Sequence, residues 1–265
     1  FLPDSIIGDI YRLFVDTFSV LVLVGVLYLL VRRFIIKDDR LLTKDPVMLS
    51  DKAQKGMLID SLLVGAFIII HIGSRFLSAS FEIAIHGPDR SQPAANFVAS
   101  FWSNMPMETL HLSEHITWWL ALGLILAFLP YFPFSKHAHL FMGPLNIMAA
   151  VDRRSMAAIE TIDFENEELE QFGASNIQHL PQTQLLDGYA CIQCSRCQDA
   201  CPAYETGKEL SPSAMEINKR YFLNENVNSL ANGESIDKAL TEWMLTDEAA
   251  WSCTTCGYCV EVCPV

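Results

Sequence analysis

The apolar positions of this chain gather into three long runs, all in its first half. The first extends from about Ile10 to Ile36 and is densest at FSVLVLVGVLYLLV, Phe18 to Val31. The second extends from about Met57 to Ala84, densest between Leu62 and Ile72; the third, from about Leu110 to Phe134, includes ITWWLALGLILAFL. Each reaches the roughly 20 residues that a helix needs to cross a hydrocarbon core. Asp16, Asp60 and Arg75 sit toward the ends of the runs, where a side chain can reach the headgroups. The alternative, buried core helices of a large soluble protein, fits poorly with three such runs so close together. A fourth stretch, HLFMGPLNIMAA from His139 to Ala150, is too short to span and contains Gly143 and Pro144. It predicts a helix lying on the membrane surface.

Polar positions dominate after that. The stretch IETIDFENEELEQF, Ile159 to Phe172, reads as a solvated acidic spacer. The chain as a whole is 51% hydrophobic yet carries a net charge of −13, a combination explained by apolar residues in one half and acidic residues in the other. With no basic stripe outside the membrane-flanking loops, a nucleic-acid partner is excluded, because phosphates must be neutralised by a basic face. Basic residues instead mark sidedness. Arg32, Arg33, Lys37, Arg40, Lys44, Lys52 and Lys55 surround the first loop, only Arg90 lies in the second, and Lys136, Arg153 and Arg154 follow the third run. Positive loops stay in the cytoplasm, so the N-terminus is expected outside and everything after residue 135 inside. The first run lacks the basic start and small-residue cleavage site of a signal peptide. Both ends, at Phe1 and at Val265 just past Cys263-Pro264, are expected to be truncations.

The cysteines carry the chemistry. Cys191, Cys194, Cys197 and Cys201 form CIQCSRCQDACP, and Cys253, Cys256, Cys259 and Cys263 form CTTCGYCVEVCP. No cysteine lies outside these two runs. Three thiolates two residues apart wrap one face of an iron–sulfur cube, and the fourth of each run reaches the other cube. The expected ligands are therefore Cys191, Cys194, Cys197 and Cys263 for one [4Fe–4S] cluster, and Cys253, Cys256, Cys259 and Cys201 for its partner. Zinc sites usually pair two C-x2-C units without the further cysteines, and disulfides suit an oxidising compartment rather than the cytoplasm. The long insertion between the runs predicts helices around Ser213 to Leu223 and Ile236 to Leu245, hence an α-helical ferredoxin.

The predicted architecture is all-α. A transmembrane bundle of three spans plus an interfacial helix occupies residues 1–150, an acidic linker 151–180, and a two-cluster ferredoxin domain 181–265. Clusters with four protein thiolates pass single electrons, so this domain is a relay.

Histidines within the membrane half suggest a further carrier. His71 lies midway along the second run, His111 and His115 near the outer end of the third, and His137 and His139 at its inner end. Intramembrane ionisable residues are functional by default, and haem iron commonly takes a histidine ligand; a bond to a neighbouring carbonyl is the plainer alternative for His71. At about 1.5 Å per residue, His71 stands roughly 24 Å outward of Lys55 and His115 roughly 31 Å outward of Lys136. His115 thus matches the depth of His71 better than His139 or His111 does. Arg75, one turn after His71, is placed to pair with a haem propionate.

Two resemblances follow from these residues. PFSKHAHLFMGPLN resembles the end of the last span in the haem b subunit of respiratory nitrate reductase, with His139 three positions after Lys136. CIQCSRCQDACPAYETGKELSP and AWSCTTCGYCVEVCPV resemble the heterodisulfide-reductase-like membrane iron–sulfur oxidoreductases, most closely the bacterial membrane-bound electron-transfer flavoprotein:quinone oxidoreductases. The resemblance implies a multi-pass enzyme of the bacterial cell membrane. Electrons from an electron-transfer flavoprotein, or another cytoplasmic redox protein, would pass through the clusters and haem b to membrane quinone. It implies one haem rather than two, since Ser61 and Ala121 stand where the nitrate reductase subunit has further histidines. Two other readings stay open: a relay of the heterodisulfide or sulfite-reduction type, and a non-catalytic anchor and wire within a larger respiratory complex.

Overall fold

The computed structural model describes residues 5–38, 43–149, 163–165 and 171–265. Ala150 and most of the acidic linker fall outside the described residues. Among those described there are helices and turns but no strands, as the run pattern predicts. The chain forms two compact units, one of residues 1–37 and 59–131, the other of residues 38–58 and 132–265.

Most of the length of the three membrane-length helices lies in the first unit. Helix α1, Ile6–Val31, starts at Ser5, whose side chain accepts the Gly8 amide at 3.1 Å, and runs on through a π turn, Arg32–Ile36. Helix α2 is Asp51–His86. After the short α3, Pro93–Ala99, comes α4, Met107–Tyr131, extended by a 3-10 turn through Phe134. Ile6–Ile36, Asp51–His86 and Met107–Phe134 are each long and apolar enough to cross a membrane. Their apolar side chains are largely exposed, among them Phe14, Leu21, Leu29, Leu62, Ile116 and Leu126. Helices apolar all round, with every backbone bond satisfied internally, are the form a chain takes in lipid. Gly65 lets α1 come close, since a Cβ there would lie 2.6 Å from a Leu30 methyl.

Two acidic residues expected at the headgroups are engaged inside this unit instead. Asp16 is only 4% exposed, and its carboxylate accepts the Ala94 and Ala95 amides at 2.8 and 3.0 Å. The unpaired N–H groups of the first turn of α3 supply the donors that a buried carboxylate requires. Asp60 accepts the Tyr131 hydroxyl at 2.6 Å. Helix α3 itself lies in a stretch expected to be loop; Ala95 and Ala99 bury against Ile83, with Phe76 and Trp102 packed on them.

The second unit is organised by its longest helix of the C-terminal half. Before it come α5, His139–Ala149, α6, Gln182–Ala190, α7, Arg196–Asp199, and α8, Pro202–Glu205. Then follow α9, Pro212–Ala231, α10, Asp247–Trp251, and α11, Tyr258–Glu261. Helix α9 is capped by Ser211, which accepts the Ala214 amide at 3.1 Å. Its Leu223 joins Ile177, Leu240, Trp243 and Met244 in the core, and Phe222 stacks on Trp243 at 3.8 Å between centroids. Asn218 ties α9 to two neighbours: its side chain accepts the Ser50 amide at 3.0 Å and donates to the Met48 and Met244 carbonyls.

The helix expected over Ile236 to Leu245 is absent; only a 3-10 turn, Leu240–Glu242, forms there. The Leu240 amide bonds instead to the Ser175 carbonyl at 2.7 Å, and Trp243 and Met244 turn inward from an irregular segment. Packing of two large side chains onto α9 overrides local helix propensity here. Helix α5 matches its expected place. It exposes Leu140, Phe141, Leu145, Ile147 and Met148 while burying Gly143 and Asn146, the two-faced pattern of a surface-lying helix.

Candidate metal centre

Both cysteine runs fold the same way. Cys191 follows the last turn of α6, α7 lies between Ser195 and Cys201, and Cys201 precedes Pro202 at the first position of α8. In the second run Cys253 follows α10, and α11 begins after Gly257. The residues two and four positions after each leading cysteine are left-handed: Gln193 (φ 57) and Ser195 (φ 63), then Thr255 (φ 53) and Gly257 (φ 74). Side chains in that conformation cost of order 1 kcal/mol or more each. Such alternation turns successive backbone N–H groups to one side, the concave arrangement that receives anions and iron–sulfur groups. Sequence spacing gave no sign of Gln193, Ser195 or Thr255; Gly257 was the one visible clue.

The runs meet around two adjoining cavities. The larger, of about 320 Å³, is lined by seven cysteines: Cys191, Cys197, Cys201, Cys253, Cys256, Cys259 and Cys263. The smaller is lined by Cys191, Cys194, Cys197 and Cys263, so the last cysteine of the second run stands with the first three of the first. Burial pushes the Cys191 thiol up to about 11, opposed by the Gln193 amide and reinforced by Glu216, Cys263 and Cys194. Burial likewise pushes Cys197 up to about 12, followed by the charges of Cys191, Cys263, Cys194 and Cys259. Cys259 is raised by burial and then by Cys201, Cys253 and Cys256. The two runs therefore crowd their thiols together, with Cys263 of the second run beside Cys191, Cys194 and Cys197 of the first. All eight are free of disulfides.

Such crowding resists ionisation unless a cation sits among the sulfurs, and iron supplies that charge. Among the described residues no group of three His, Cys, Asp or Glu side chains converges on a single-ion site. The thiols surround a volume, which fits clusters of several irons. Asp187 and Glu216 complete the polar wall of the larger cavity, with Asn146 donating to Asp187 Oδ1 at 2.8 Å.

Residues 187–265 match the 4Fe-4S dicluster domain. The match supports two [4Fe–4S] clusters in this dicluster domain. Over 98% of its length the chain is 31% identical to the probable iron-sulfur-binding oxidoreductase FadF of Bacillus subtilis, covering 40% of that protein. It is 28% identical to the EtfAB:quinone oxidoreductase of Syntrophomonas wolfei, over 95% of this chain and 38% of the relative. A probable membrane-anchored ferredoxin of Chromohalobacter salexigens is 33% identical over 31% of the chain, which covers 15% of it. The chain therefore spans about two fifths of the length of the first two relatives. No solved structure is detectably similar. The relatives and the three apolar helices support a membrane-type iron–sulfur protein.

The membrane histidines are not gathered as the dicluster cysteines are. His71 lines a cavity of about 460 Å³ with Tyr11, Arg12, Arg75, Glu82 and Trp118. Its Nδ1 bonds to the Ala121 carbonyl at 2.9 Å and its ring lies parallel to Phe67. A donor Nδ1 leaves Nε2 as the basic nitrogen, the state of a metal-binding imidazole. His115 is outside that cavity; it is exposed, with Nδ1 on the His111 carbonyl of its own helix at 2.9 Å. Since His71 is level with Ala121, His115 stands six residues, roughly 9 Å, nearer the start of α4. His71 and His115 each bond through Nδ1 to a main-chain carbonyl, and they do not share the cavity. His111 is exposed as well, and His139 belongs to the other unit, its Nδ1 on the Lys136 carbonyl at 2.6 Å. Arg75 shares the His71 cavity and lies 3.5 Å from the Tyr11 hydroxyl. His71 is the histidine on this wall among the described residues, with Arg75 a nearby cation.

Proposed function

We propose that this chain is the membrane-anchored electron-transfer part of a quinone-linked iron–sulfur oxidoreductase. Its electron donor is a cytoplasmic electron-transfer flavoprotein and its acceptor is membrane quinone. The observation that carries the reading is the gathering of two four-cysteine runs around adjoining cavities on a chain with three membrane-length helices. Cys191, Cys194, Cys197 and Cys263 hold one cluster, and Cys253, Cys256, Cys259 and Cys201 the other. The clusters, when bound, take up and release one electron each. The protein's own part is to hold them close, to exclude water on one side with the buried Ala203 and Leu210, and to keep all eight thiols committed to iron.

The distribution of Lys and Arg supports a cytoplasmic dicluster domain and an outer N-terminus in a bacterial cell membrane. The name of the Syntrophomonas wolfei relative supports the flavoprotein and the quinone as the two ends of the path. His71, with Arg75 beside it, is the residue this chain offers to a haem b.

The test uses membranes containing the full protein. Reduced electron-transfer flavoprotein should drive reduction of a soluble quinone analogue, and variants lacking Cys256 should abolish it. Intact clusters without quinone reduction would sink the proposal, and turnover of a disulfide substrate instead would favour the heterodisulfide type of relay.

A further inference from the structure

Charge is distributed unevenly around the two cysteine quartets. Asp187 and Glu216 are the charged side chains on the wall of the larger cavity, and both belong to the side that carries Cys191. Asp187 lies one helical turn before Cys191 and accepts its amide through the main-chain carbonyl at 2.9 Å. Glu216 acts electrostatically on the Cys191 thiol, and Asp187 on Glu216. The balancing cation is Lys219, 4% exposed, whose Nζ lies 2.9 Å from Glu216 Oε1 and 2.8 Å from Oε2. Arg196, on the wall of the smaller cavity, is exposed and its charge is screened by water. Around Cys201 the surroundings are apolar instead: Ala203, Tyr204, Leu210 and Ala249 pack against it. Thr254, Gly257 and Val260 line the cavity on that side, and the charge nearest Tyr204 is a cation, Lys44 Nζ, 5.2 Å from the ring centre.

Reducing a cluster adds one electron, supplied here by the soluble donor, with no bond made or broken. The added negative charge is opposed by a nearby carboxylate, more strongly where water is excluded, and potentials of such clusters follow local charge and solvent exposure. Resting on the two-cluster reading above, we propose that Glu216 and Asp187 hold the cluster of Cys191, Cys194, Cys197 and Cys263 at a lower reduction potential than its neighbour. Lys219 limits that depression. The two clusters are then unequal, and a single electron in the pair resides on the cluster of Cys253, Cys256, Cys259 and Cys201.

An EPR-monitored potentiometric titration of the full chain in detergent tests this. Wild type should give two midpoints. Glu216→Gln should move the lower one upward, Lys219→Met should move it further downward, and the higher midpoint should stay in place in both. Cys194→Ser should alter the same signal that Glu216→Gln shifts. Iron and sulfide are measured first on each sample: their absence from wild type would overturn the cluster reading itself. With clusters intact, unmoved midpoints, or equal shifts of both signals, would overturn the charge asymmetry alone. Should Glu216→Gln fail to retain iron, the direction of the Lys219→Met shift decides.

Discussion

At the level of single residues, the crossing of the two runs makes Cys263 the most informative position. It follows Cys259 by four residues, yet it lines a cavity with Cys191, Cys194 and Cys197. Cys263→Ser should therefore perturb the cluster held by the first run, roughly halving bound iron from the about eight expected of two cubes. Mössbauer spectra and iron analysis would check it, and loss of the cluster of Cys253, Cys256 and Cys259 instead would contradict the crossing. The thiol environments give a second prediction. Once iron is removed, Cys191 and Cys197, pushed up to about 11 and 12, should alkylate far more slowly at pH 8 than Cys256, which a backbone N–H from Tyr258 lowers. The sign follows because the thiolate is the reactive form and a raised value leaves less of it. Mass spectrometry of labelled peptides would detect the order, and uniform labelling would contradict it. At the cluster-binding turns, Gly257→Ala should cost about 1 kcal/mol or more, while Ser195→Gly should be neutral or slightly stabilising. Thermal unfolding of the loaded protein compares the two; equal effects would count against the matched left-handed turns. The cysteines were legible because ligand spacing is a local property of the chain. The left-handed positions were not, since three of the four carry side chains that advertise no unusual backbone.

At the level of elements, the long helices were readable from apolar runs because a span must be apolar over its whole length. The short elements were not. Helix α3 has Pro93 at its start, a usable signal, but its stability depends on a carboxylate 78 positions earlier in the chain, from Asp16 to Ala94. Asp16→Ala should leave the cluster content unchanged and weaken α3 by about 1–2 kcal/mol, the usual value of an N-terminal cap. Hydrogen exchange at the Ala94 and Ala95 amides would show it as faster opening; unchanged protection would contradict the capping role. The segment holding Leu240, Trp243 and Met244 departs from the expected helix for the same reason. Its apolar residues answer to the surface of α9, not to a helical period of its own.

At the level of the whole molecule, a polar domain with eight thiols follows a membrane-length apolar half, and that division was visible from the distribution of residue types alone. The histidines were harder. Depth counted along separate helices could not reveal that His71 bonds to the Ala121 carbonyl or that His115 stays on the surface of α4. The chain spans about two fifths of the length of its first two relatives. The central claim is independent of that remainder. Iron, acid-labile sulfide and zinc measured together on anaerobically purified protein, with an EPR spectrum of the reduced sample, test it most directly. About eight iron and eight sulfide per chain, with signals broadened by interaction between two neighbouring clusters, are expected. Zinc in place of iron, or iron without sulfide, would contradict the account.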